Sequence, residues 1–276
     1  MRQVMVAFGL CVAAGPVAAQ DLGSTGRLTA LQTGDDVAGW EGVGRIDIDG
    51  KGFCTGALIA PDLVLTAAHC LYDSETGALI AADRFEFLAG LRSGRALAYR
   101  DVRRVVAHPD YSFSADSALD RSSHDVALLE LSQPIRATEI APFDVLPDTA
   151  IGAEVGIVSY AFDRAEAPAL QAACDVLGAQ DGLYVMACDV DYGSSGAPVF
   201  RIAGGLAQIV SVVSAKAEFD GRRVAIGSML DEALADLRAE LAAGNSVFDA
   251  GAPVAVRVIG AGQRNETGAR FVSAGD

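Results

Sequence analysis

The 276-residue chain is predicted to be all-β, and three observations carry that expectation. Short apolar or alternating runs recur at regular spacing along the chain, with Gly-, Pro- and Asp-containing turns between them. A single stretch shows the i, i+3, i+4 spacing of an amphipathic helix. Hydrophobic residues make up 51% of the chain, enough for a substantial core. Gly44-Arg45-Ile46-Asp47-Ile48-Asp49-Gly50 alternates between two glycines and reads as the first strand. Residues 56–59 and 63–66 are apolar strands around the turn Pro61-Asp62, and residues 84–88, 99–106 and 126–131 continue the pattern. Beyond Pro134 and Pro142 a second set follows over 154–160, 170–177, 183–188, 198–202, 207–214 and 224–228. Many short, evenly spaced strands fit a sandwich or a barrel. Leu230, Leu234, Leu237 and Leu241 fall on one helical face within 228–243, and Gly244 stands where a helix should stop. The remaining 245–276 is an extension, with a strand-like run at 254–259 and a Gly-rich, flexible end.

The start of the chain bears on compartment. Arg2 followed by an apolar run over 4–14 and the small residues Val17-Ala18-Ala19 reads as a secretory signal peptide over 1–19. No later run is long enough to predict a spanning helix. Without Cys11 four cysteines remain, Cys54, Cys70, Cys174 and Cys188, and an even count in an exported chain implies disulfides in one of three pairings. Zinc is the competing use of cysteine, but no C-x-x-C pair is present, so neither metal nor cofactor is expected. A net charge of -15 argues against nucleic acid as a partner, because phosphate binding needs basic patches.

Three motifs carry chemistry. Leu65-Thr66-Ala67-Ala68-His69-Cys70 ends an apolar run in a histidine. His124-Asp125 opens the strand-like 126–131, and Gly193-Ser194-Ser195-Gly196-Ala197-Pro198 places serine in a glycine-bracketed turn. A serine hydroxyl is a weak nucleophile unless a neutral imidazole accepts its proton. A buried carboxylate on the other ring nitrogen fixes the tautomer and stabilises the imidazolium that forms. Backbone N–H groups of Gly193 and Ser195 can then face a developing oxyanion, one such donor being worth roughly 3 kcal/mol. His108, in His108-Pro109-Asp110-Tyr111, reads as a turn residue.

On these motifs, together with Cys54-Thr55-Gly56-Ala57-Leu58-Ile59, the chain resembles the trypsin/chymotrypsin-like serine peptidases over about residues 39–241. Cys188-Asp189-Val190 before the serine turn is similar to the secreted bacterial, glutamyl-endopeptidase-like branch. The resemblance implies two antiparallel six-stranded β-barrels, a site in the cleft between them and a C-terminal α-helix. In domains, that means residues 20–140 for the N-terminal segment and first barrel, and 141–244 for the second barrel and helix. It implies a secreted or periplasmic serine endopeptidase, monomeric, with a peptide or protein as substrate. His69, Asp125 and Ser195 are the expected triad, and Gly193 and Ser195 the oxyanion donors. An esterase or an inactive binding module is the alternative.

The resemblance also selects Cys54–Cys70, which would fasten the histidine loop, and Cys174–Cys188 would brace the segment before the serine. It places Asp189 and Val190 at the base of the primary pocket and Ser211, Val212 and Val213 on its wall, with Ser211 near the catalytic aspartate. Asp189 would favour Arg or Lys, whereas Val213 would favour small aliphatic side chains. Two departures from the animal enzymes stand out. Ser194 replaces the aspartate that pairs with a newly cut N-terminus, and no Ile-Val-Gly-Gly-type segment precedes the first barrel. Activation by N-terminal insertion is therefore not expected.

Overall fold

A computed structural model describes residues 26–244 except 116, 147 and 220. The expected signal peptide (1–19) and C-terminal extension (245–276) lie outside the described residues. Two antiparallel barrels organise the rest. The first closes in the order β2 (Val43–Ile48), β3 (Gly52–Ala60), β4 (Leu63–Thr66), β7 (Ala127–Leu131), β6 (Ala98–Ala107) and β5 (Phe85–Ala89). Its interior is apolar, with Ile46, Leu58, Leu65, Phe87, Leu128 and Leu129 fully buried.

The second sheet runs through β8 (Glu154–Ala161), β9 (Arg164–Gln180), β10 (Leu183–Met186), β13 (Arg222–Met229), β12 (Leu206–Phe219) and β11 (Pro198–Ala203). The additional β8–β9 pairing returns the ring to its start. A seventh strand, β1 (Leu28–Ala30), adds to the edge of β9 with Thr29 opposite Leu170. The first barrel's own N-terminal segment is thus paired to the second barrel, which satisfies backbone groups on an otherwise open strand edge. Adding an edge strand of three residues leaves almost no period-2 signal in the sequence, so β1 was not expected.

Helix α3 (Asp231–Ala243) matches the leucine stripe and ends on Gly244 in the left-handed conformation. Its buried face, Ala233, Leu234 and Leu237, joins the core of the first barrel although it follows the second in sequence. The helix therefore clasps the two barrels together. Two short helices were not expected, α1 (Gly34–Val37) and α2 (Ala118–Ser123), and both are capped by side chains rather than by an apolar stripe. Among the described residues no helix is long and apolar enough to cross a membrane.

Candidate active site

His69 lies in a short 3₁₀ turn (Ala68–Leu71) directly after β4, and the turn is fastened to β3 by the Cys54–Cys70 disulfide. Asp125 precedes β7, the strand paired with β4, so the barrel register itself brings the two together. The Asp125 carboxylate is 2% exposed and accepts twice from one residue: from the His69 backbone N–H through Oδ1 and from Nδ1 through Oδ2, each at 2.7 Å. Since a carboxylate only accepts, Nδ1 carries the hydrogen and Nε2 the lone pair, 3.8 Å from Cys70 Sγ. Burial disfavours the charged imidazole, but the adjacent carboxylate outweighs it and the His69 pKa is raised above its ordinary value.

Ser195 comes from the second barrel, in the turn ahead of β11. Thr55 of β3 reaches across and clamps this turn twice. Its hydroxyl donates to the Gly193 carbonyl and its N–H to the Ser195 carbonyl, both at 2.8 Å. Gly193 and Gly196 both hold positive φ, and a Cβ at either would overlap its neighbours, the Phe53 ring at Gly193 and Thr66 with Thr55 at Gly196. Among the described residues neither the Gly193 nor the Ser195 N–H has a hydrogen-bond partner, and the Ser195 hydroxyl has none either. The neighbouring Ser194 differs. It is 1% exposed, and its hydroxyl is spent on the Tyr160 carbonyl and the Ser159 hydroxyl, each at 3.2 Å.

The expected pocket residues are distributed differently from their placement by sequence. Ser211 does not lie against Asp125; its hydroxyl donates to the Ser228 carbonyl at 2.8 Å. Ser214 takes that place, donating to Asp125 Oδ2 and lying 3.0 Å from the Ser122 hydroxyl. The cause is a β-bulge: the β12–β13 register shifts between Val213, opposite Gly227, and Ala215, opposite Ile226, which leaves Ser214 unpaired and re-aims its side chain. Val212 and Val213 turn into the cores of the first and second barrels respectively, while Ala215 is half-buried and Lys216 is exposed. Val190 is also buried in the second core. Asp189 is exposed, and its backbone N–H donates to Gln171 Oε1 at 2.7 Å.

Cys174–Cys188 forms as the second disulfide and ties β9 to the segment leading into the serine turn. Beside that turn, Lys216 Nζ lies 2.8 Å from Asp191 and 3.7 Å from the centre of the exposed Tyr192 ring. Sequence reasoning missed Thr55, Ser214, Lys216 and Tyr192 as parts of the site. Thr55 did sit within a quoted motif.

Two antiparallel barrels, one carrying a histidine–carboxylate pair and the other a glycine-held serine, define the scaffold. The chain belongs to the trypsin family, whose model, described as Trypsin, matches residues 34–228. It is similar to a glutamyl endopeptidase of Bacillus licheniformis, at 27% identity over 54% of this chain and 46% of that protein. It is also similar to a modular serine protease of Drosophila melanogaster, at 32% identity over 32% of this chain and 14% of that one. The chain thus spans less than half the length of these relatives. Among solved structures, a Glu endopeptidase in complex with MPD superposes with TM-score 0.65 at 20% identity, covering 80% of this chain and 98% of that one. A scabies mite inactivated protease paralogue superposes with TM-score 0.61 at 14% identity, covering 81% and 98%. Both the Glu endopeptidase and the inactivated paralogue share this architecture, so the fold by itself does not decide activity.

Proposed function

We propose that the chain is an exported serine endopeptidase in which Ser195 attacks, His69 takes and returns its proton, and Asp125 orients His69. The supporting observation is the double grip of Asp125 on the His69 backbone and Nδ1, which leaves the Nε2 lone pair to take a proton. Attack by Ser195 Oγ on a peptide carbonyl places negative charge on its oxygen, and the unpaired N–H groups of Gly193 and Ser195 are the donors for it. His69 then protonates the leaving amine, and water hydrolyses the acyl-enzyme by the same steps in reverse. Two disulfides support an exported, oxidising setting.

For the side chain preceding the scissile bond, a small or medium aliphatic group fits best. Val190 and Val213 are buried in the second core, and Asp189 is too exposed to act as a buried charge selector. Lys216 is already paired with Asp191.

A fluorophosphonate probe and a mixed peptide library test this reading together. Labelling should map to Ser195, survive Ser194→Ala and vanish in Ser195→Ala along with peptide cleavage. Labelling with ester but no peptide turnover would favour an esterase, and no labelling a binding module. Either would overturn the proposal.

A further inference from the structure

Arg45 takes no part in the chemistry proposed above, yet its side chain is only 16% exposed and makes its bonds beside the serine turn. On β2 it stands opposite Thr55 of β3, and Asp47 stands opposite Phe53. Residues two apart on a strand, and those directly opposite across a ladder, share a face. Arg45, Asp47, Phe53 and Thr55 therefore leave the first barrel together, on the side that meets the second.

The guanidinium works in three directions. Nε and Nη2 donate to the two carboxylate oxygens of Asp47 at 2.6 and 2.9 Å. Nη1 crosses to the second barrel, donating to the Ala165 carbonyl at 2.9 Å with Glu166 Oε1 at 3.3 Å. The guanidinium carbon also lies 5.3 Å from the centre of the Phe53 ring. A two-pronged grip, a further donor in the same plane and a flat cation near an aromatic ring are properties of arginine and not of lysine. Ala165 and Glu166 lie just past the turn of the β8–β9 hairpin, and the Ser93 N–H holds the same stretch by donating to the Glu166 carbonyl at 2.7 Å.

These contacts surround Gly193. A Cβ there would overlap the Phe53 ring and meet the Ala161 Cα at 3.0 Å, so Gly193 is walled by Phe53 of the first barrel and by the β8–β9 hairpin of the second. The Phe162 N–H donates to the Tyr192 carbonyl at 2.8 Å, so the hairpin also fixes the residue before Gly193. Arg45 touches one wall and anchors the other. We infer that Arg45 is a positioning residue, which sets the spacing of these two walls and so aims the Gly193 N–H at the developing oxyanion. The role rests on the peptidase reading and adds what keeps its donor in place. Oxyanion donors act by being held ready before the reaction, so a displaced donor costs turnover before it costs substrate binding.

Arg45→Met keeps an apolar stem against Phe53 and removes the bonds to Asp47 and Ala165. Steady-state kinetics on one peptide is measured beside Tm and the affinity for a peptide aldehyde, whose hemiacetal oxygen on Ser195 takes the place of the oxyanion. In Arg45→Met kcat should fall about 10-fold, less than the roughly 10²–10³-fold for a deleted oxyanion donor, with KM changed less than about twofold. Aldehyde affinity should fall by the same factor. Arg45→Lys should recover little, because a point charge does not replace the fork. Asp47→Asn, which leaves Arg45 in place, should show the same pattern at smaller amplitude, and it carries the test if Arg45→Met folds poorly. A lowered Tm with wild-type kcat and aldehyde affinity would make Arg45 a structural residue only and overturn the inference, as would a rise in KM alone. A wild type that neither cleaves peptide nor binds the aldehyde would remove the peptidase reading and this role with it. An active wild type beside unimpaired variants would remove this role alone.

Discussion

The Ser214 hydroxyl and His69 Nδ1 share one oxygen, Oδ2 of Asp125, while Oδ1 is held by the His69 backbone N–H. A carboxylate gripped on both oxygens cannot swing away from the imidazole, so the β12 bulge that aims Ser214 is a device for holding His69. Ser214→Ala removes a hydrogen bond to a charged group worth about 1.5–3 kcal/mol, hence roughly 10–100-fold in kcat/KM. Ser211→Ala, whose hydroxyl touches only the Ser228 carbonyl, should leave the turnover near wild type. Equal losses in the two variants would show that the bulge has no catalytic role.

The raised His69 pKa sets the pH dependence. The base form is needed for attack, so the acid limb of kcat/KM should fall above the ordinary value of about 6.5. The sign for stability is opposite. A folded pKa above the unfolded one stabilises the fold below about pH 6.5, and that contribution is lost as pH rises through the folded value. Asp125→Asn should cost several orders of magnitude in kcat, about 10⁴ for such a change in a serine protease triad, because it permits the wrong tautomer. An acid limb below 6 in the wild type would contradict the Asp125–His69 coupling.

Thr55 joins the two barrels at the turn that carries Ser195. Thr55→Val keeps the shape and the backbone N–H, but leaves the half-buried Gly193 carbonyl and the buried Tyr160 N–H without their side-chain partner. The expected cost is about 1–3 kcal/mol of stability, with kcat falling more than KM changes as the oxyanion donors loosen. Thr55→Ser retains the hydroxyl and should recover most of the activity. A split of this kind, read from steady-state kinetics beside Tm, separates positioning from simple destabilisation.

Each disulfide closes a short loop, Cys54–Cys70 spanning 16 residues and Cys174–Cys188 spanning 14, for which chain entropy gives about 3 kcal/mol apiece. Removing Cys174–Cys188 by paired serine substitution should lower Tm and slow turnover, because that bridge supports the approach to Ser195. The test is thermal melting and kcat on the oxidised double variant. Unchanged values in both would mean the bridge braces nothing.

Alternation and spacing made the strand pattern of both barrels and the leucine helix legible, because burial on one face leaves a periodic record. The histidine, aspartate and serine motifs were legible because each carries an unusual local demand: a residue beside a cysteine, the start of a buried strand, a turn between glycines. Ser214 was not. Counting alternate residues along β12 assumes an unbroken pleat, and one bulged residue changes which side chain faces Asp125. Thr55 was hidden for a different reason, since its role depends on a turn 138 residues away. Asp189 could be placed in sequence but its exposure could not.

Ser194 and Arg164 bear on activation. In the animal enzymes an aspartate at the position of Ser194 captures a newly formed N-terminal ammonium. Here Ser194 is a buried hydroxyl bonded to Ser159 and Tyr160, and the Arg164 guanidinium lies 3.1 Å from Ser159 Oγ and 3.5 Å from Ser194 Oγ. Among the described residues the cation near this turn is thus Arg164, on a hairpin of the second barrel. The N-terminal segment instead pairs as β1 on the edge of β9, a contact that depends on residues 28–30 and not on a free amine. Proteins beginning at Gln20, at Asp21, or with an added Gly-Ser before Gln20 should therefore have similar kcat/KM on one peptide. Arg164→Met should lower kcat in all three, by loosening the turn that carries Gly193 and Ser195. Activity confined to one exact N-terminus would show that an ammonium is required after all, and an unimpaired Arg164→Met would remove Arg164 from the turn's support.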